Sequence, residues 1–121
     1  MTALNCLHND AKMIGALVPC DGTIELRFPG VRVARVSQPN NEPVHYVQRA
    51  SLCIVAQGAK VVMIGGDAYD YEAGQIALYS IDVPMAGRVT RASVSKPYLL
   101  LMETKNICVA LGGHRIPRIG A

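Results

Sequence analysis

Short runs of valine, isoleucine, leucine and tyrosine, each closed by glycine, proline, asparagine or aspartate, recur from Ile24 to Glu103, and few folds accommodate that texture. Eight runs read as strands: Val31–Val36, Val44–Gln48, Leu52–Gln57, Lys60–Ile64, Ala68–Tyr71, Gln75–Ser80, Gly87–Ala92 and Tyr98–Glu103. Gly65-Gly66 before Asp67 is a two-residue hairpin signal, and Gly58 and Gly74 mark further tight turns. Pro39-Asn40-Asn41 and Ser95-Lys96-Pro97 break the pattern as exposed loops. Strands at such short, even spacing imply an all-β sandwich or barrel rather than a parallel sheet crossed by helices.

Upstream, Leu4, Leu7, Ala11, Ile14 and Leu17 recur at three- and four-residue steps, the stripe of an amphipathic helix that Pro19 ends. Residues 1–19 are therefore expected to form a helical arm, 20–103 the β-barrel, and 104–121 a short tail without a helix-turn-helix domain. With 121 residues, half of them apolar, the chain suits one domain with its own core. No apolar run reaches the ~20 residues of a membrane span and no signal peptide opens the chain, so no membrane contact and a cytoplasmic location are expected.

The net charge of +3 is dispersed, whereas a nucleic-acid footprint concentrates cations on one face, so no direct DNA binding by this chain is expected. Arg32 and Arg35 read as solvated residues of an edge strand. Cys6, Cys20, Cys53 and Cys108 lack zinc-type spacing and read as small buried hydrophobes, Cys53 inside the barrel.

The spacing of His45 to Gly58 and of Gly66 to Ile81 resembles the two motifs of a metal cupin. On that pattern His45 fills the first histidine slot, Val47 the second, Ser51 the glutamate slot, and Ala77 the last histidine. The resemblance implies a cupin-like double-stranded β-helix, a jelly-roll barrel, with most of its metal ligands replaced. Neither metal nor cofactor is expected.

A more specific likeness lies in Ser51-Leu-Cys-Ile-Val-Ala-Gln-Gly-Ala-Lys-Val-Val, Tyr71-Glu-Ala-Gly-Gln and Ser80-Ile-Asp-Val-Pro, extending to Phe28-Pro-Gly-Val and Lys96-Pro-Tyr-Leu. These blocks resemble the N-terminal domain of AraC-type transcription regulators over about Pro29 to Met102. The resemblance implies a regulatory domain that binds a small-molecule effector or forms a homodimer, with the DNA-binding half absent from this chain.

Ligand slots of a cupin point inward, and residues two apart on a strand share a face. The analogy therefore places His45, Val47, Ser51, Cys53, Val55, Ala77, Tyr79 and Ile81 inside. Among them His45, Ser51, Cys53 and Tyr79 are the polar points of an apolar wall, the expected ligand-binding set. Each also has a plainer role: a core histidine or tyrosine bonded to a protein neighbour, and small residues filling the barrel. Tyr69, Tyr71 and Tyr98 read as packing residues, and Asp67, Asp70 and Glu72 as a solvated face. No enzyme is expected; the alternative is a metal-free cupin isomerase or epimerase acting on a small polar metabolite, which needs a carboxylate beside His45 that the sequence does not place there.

Overall fold

The computed structural model describes residues 12–27 and 30–104, nine strands in two antiparallel sheets preceded by a helical turn at 12–17. In chain order the strands are β1 (Gly22–Glu25), β2 (Val31–Val36), β3 (Val44–Gln48), β4 (Ser51–Gln57), β5 (Ala59–Ile64), β6 (Asp67–Glu72), β7 (Ile76–Tyr79), β8 (Val83–Arg91) and β9 (Tyr98–Glu103). One sheet runs β1-β2-β9-β4-β7 and the other β3-β8-β5-β6. Their facing sides form the jelly-roll barrel that the cupin-like spacing implies. No helix among the described residues is long and apolar enough to cross a membrane.

Alternation sets what lies between the sheets. In β4, Ser51, Cys53 and Val55 point inward; from β5 come Lys60, Val62 and Ile64; from β8, Val83, Met85 and Val89; from β9, Tyr98 and Leu100. Most of these form the main apolar core, which Tyr46, Tyr69 and Tyr71 flank. The opposite face of the five-stranded sheet packs the helical turn: Ile14 lies against Leu99 of β9 and Ala56 of β4. The rest of the expected arm, with Leu4, Leu7 and Ala11, and the tail beyond Thr104 lie outside the described residues, as do Cys6 and Cys108.

Two glycine turns set the connections. Gly65 and Gly66 both take positive φ, 58° and 91°, and close the β5–β6 hairpin between the paired residues Ile64 and Asp67. At Gly58 the chain passes from β4 in one sheet to β5 in the other, with φ of 84°. A Cβ there would stand 2.6 Å from the Arg91 carbonyl oxygen and 3.0 Å from the Tyr98 Cα, so only glycine fits.

Three strand expectations change. β1 was not expected; it is a short edge strand with every residue exposed, and so lacks the half-apolar alternation that marks a strand in sequence. β8 begins at Val83 rather than Gly87, running through Pro84. Proline fits there because β8 has run past its pairing with β5, which ends at Ala86, and keeps only β3 beside it, with Val47 opposite Pro84. β2 is not an edge: it lies between β1 and β9, and Arg35 is tied down, donating from Nη1 to the Val18 carbonyl at 2.9 Å with Nε 3.6 Å from Asp21.

Candidate functional site

The space between the sheets is filled at one end and open at the other. At the filled end stand Ser51, Cys53 and Tyr79, all buried. Ser51 Oγ accepts from Gln48 Nε2 at 3.0 Å and donates to the Arg49 carbonyl at 2.7 Å, so it is satisfied by its own hairpin. Tyr79 donates to the Tyr71 hydroxyl at 3.4 Å, a long contact inside the core. Burial raises the Cys53 thiol above its ordinary pKa, which keeps it protonated and a poor nucleophile.

At the open end a cavity of about 580 Å³ lies between β1, β2 and β9 on one side and β3, β5 and β8 on the other. Its apolar wall comes from Ala34, Val36, Val89, Leu100 and Met102. Tyr46, Gln48, Lys60 and Tyr98 supply polar groups, and Arg32, Arg49 and Arg88 also border it. Gly87 makes room for the Tyr46 ring: a Cβ on Gly87 would stand 3.0 Å from the Tyr46 hydroxyl.

Two groups of this lining are unusual for a barrel interior. Lys60 is only 8% exposed, and its Nζ lies 5.9 Å from the centroid of the Tyr98 ring. That distance is within the reach of a cation–π contact. No carboxylate among the described residues forms an ion pair with it. Burial lowers its pKa. The Tyr98 hydroxyl is shut away from solvent and has no hydrogen-bond partner among the described residues. Burial raises the pKa of Tyr98 and takes that of Tyr46 to about 12, so both remain proton donors.

The four residues expected to bind ligand are not brought together. His45 faces outward and exposed, because β3 pairs with β8 so that His45 stands opposite Ala86 while Tyr46 stands opposite the inward Met85. A one-residue change of phase turns a whole strand over. Val47 accordingly sits 60% exposed where the cupin spacing placed it inside, and Ile81, beyond the end of β7, is 44% exposed. Ser51, Cys53 and Tyr79 do point inward, but none of them belongs to the lining of the open cavity. Among the described residues, no group of three or more histidine, cysteine or carboxylate side chains has an arrangement suited to a metal ion.

Because the Tyr79 hydroxyl meets only Tyr71, Tyr79→Phe should change stability by no more than about 1 kcal/mol. It should leave binding in the open cavity unaltered. Thermal melts and a titration of any cavity ligand check both; a large loss of affinity would return Tyr79 to the site.

Residues 27–104 match the family described as the AraC-type transcriptional regulator N-terminus. The chain belongs to this family. No curated protein sequence matches it. Among solved structures it is similar to a protein from Neisseria meningitidis, with a TM-score of 0.57 and 13% identity over 78% of this chain and 96% of that one. It is also similar to a cupin-2 domain containing protein from Shewanella frigidimarina, with a TM-score of 0.51 and 13% identity over 80% and 91% of the two chains. At such identities the likeness concerns the fold, and it places this AraC-type domain on a cupin barrel.

Proposed function

We propose that this AraC-type domain is a regulatory module that admits a small-molecule effector between its sheets, and that it binds rather than catalyses. The observation that carries the reading is the cavity of about 580 Å³, within the ~300–1,000 Å³ of small-ligand sites, with apolar walls and a few convergent polar groups. A barrel serving only as a dimerisation scaffold has no need of that space. Catalysis draws less support. Burial holds the Cys53 thiol and the Tyr46 and Tyr98 hydroxyls in their neutral acid forms, and His45 lies on the outside.

β9 offers a route from cavity to arm. Its inward residues Tyr98 and Leu100 line the cavity, while Leu99 between them carries Ile14 of the helical turn on the other face. An effector that presses on β9 from inside acts on the strand that seats the arm outside. It shifts the balance between arm arrangements, or between dimer faces, only as far as its affinities for the two states differ.

The test is a fragment screen by ligand-observed NMR on the wild type and on Ala34→Phe, whose ring would occupy the open end. Ala34 is a small wall residue, and a larger side chain there costs about 1–3 kcal/mol of overpacking, which a melting curve would show to be tolerated. Fragments that bind the wild type and lose contact in the folded variant support the reading. Absence of any hit, or hits that persist with the cavity filled, would reject it.

A further inference from the structure

Among the described residues, the cavity is bordered by four cationic side chains, Arg32, Arg49, Lys60 and Arg88, and by no carboxylate. These cations are not equivalent. Arg32 and Arg49 also border an adjoining groove that contains Glu25 and Asp82. Arg88 is exposed to water on β8. Lys60 alone is buried, without an ion pair among the described residues, beside a tyrosine whose hydroxyl is also shut in and unpaired.

A buried cation and a buried unpaired donor each cost stability, and both belong to residues that line one cavity, which leaves them for a partner that is not part of the polypeptide. Both are donors, so the partner has to accept. The surrounding wall of Ala34, Val36, Leu100 and Met102 favours a hydrocarbon body attached to that accepting group. A phosphate, with more oxygens to satisfy than one ammonium and one hydroxyl provide, would be poorly served against such a wall.

Resting on the effector reading above, we infer that the ligand is a small organic carboxylate with an apolar body, whose anionic head is held by Lys60 and Tyr98. The carboxylate neutralises the lysine and accepts a hydrogen bond from the Tyr98 hydroxyl. Arg32, Arg49 and Arg88 at the border draw the anion inward, a contribution that salt screens.

Three probes of one skeleton test this: 4-phenylbutyrate, 4-phenylbutan-1-ol and 4-phenylbutylamine, titrated by calorimetry into the wild type, Lys60→Met and Tyr98→Phe. The carboxylate should bind the wild type at least about tenfold tighter than the alcohol, with the amine weakest. Lys60→Met should weaken the carboxylate by about tenfold or more and leave the alcohol unchanged; Tyr98→Phe should act in the same direction by a smaller factor. Circular dichroism melts establish that each variant is folded. Equal binding of alcohol and carboxylate, or carboxylate binding that survives Lys60→Met, would overturn the inference while leaving the cavity an effector site. Failure of all three probes to bind would overturn it too, and the fragment screen on Ala34→Phe would then decide separately whether the cavity binds anything.

Discussion

Gly58→Ala should lower stability by about 3 kcal/mol or more, through two costs that add. The first is conformational: with φ at 84°, any residue with a Cβ carries strain of about 1–3 kcal/mol. The second is contact. The new methyl would meet the Arg91 carbonyl oxygen at 2.6 Å and the Tyr98 Cα at 3.0 Å, both backbone atoms of strands that cannot swing aside as a flexible side chain does. Gly58 lies where β4 hands the chain to β5, so yielding there would part β9 from the junction of the two sheets and displace Tyr98 from the cavity wall. A control separates the two costs. Gly66 also has positive φ, 91°, but no atom lies within 4 Å of its would-be Cβ. Gly66→Asn should therefore cost far less, since asparagine tolerates left-handed backbone, whereas Gly58→Asn should fare no better than alanine. Thermal unfolding of the four proteins checks the order; equal melting temperatures for the Gly58 and Gly66 variants would show that contact at Gly58 is relieved cheaply.

Much of this architecture was legible in the sequence because it is written in local patterns. Alternation identifies β4 and β5, where Cys53, Val55, Val62 and Ile64 fall inward, and glycine pairs mark the β5–β6 turn. The elements that escaped are those whose local pattern is silent or misleading. β1 exposes all its residues, and Pro84 reads as a break although it lies within β8 where no neighbour on the β5 side needs its missing N–H.

The site was less legible, for a physical reason. Val44-His45-Tyr46-Val47-Gln48 has apolar residues on both alternating faces, so composition does not fix its phase, and the cupin spacing chose the wrong one. Pairing with β8 resolves it and brings Tyr46 and Gln48 inward in place of His45 and Val47. Lys60 did leave a signal: it stands two residues before Val62 and four before Ile64, on the same face as both, where a lysine is out of place unless something beyond the chain accounts for it. Tyr98 left none, because only the assembled barrel shows that its hydroxyl has no partner among the described residues.

Lys60→Met should raise the stability of the ligand-free domain while removing its preference for anions, an opposition that a structural lysine would not produce. Methionine fills a similar volume without a charge to desolvate, and exchanging buried ionic groups for well-packed apolar ones commonly gains about 1–4 kcal/mol. The loss of the contact with the Tyr98 ring, worth about 0.5–2 kcal/mol, offsets part of that gain. The dependence on pH identifies the source. Burial lowers the folded-state pKa of Lys60 below its ordinary value of 10.5, so within that window the unfolded chain holds a proton that the folded one has released. Stability contributed by this group therefore rises as pH passes up through the window. Cys53, Tyr46, Tyr79 and Tyr98 oppose it: their raised pKa values mean that stability is lost as alkali titrates the unfolded chain. The wild-type curve mixes both trends, and only the difference between wild type and Lys60→Met isolates the lysine. That difference should favour the variant most at neutral pH and shrink as pH climbs toward 10, as measured by urea unfolding at a series of pH values. A constant difference, or a variant less stable than the wild type at neutral pH, would mean that the Lys60 charge is already satisfied in the free protein and has no ligand to wait for.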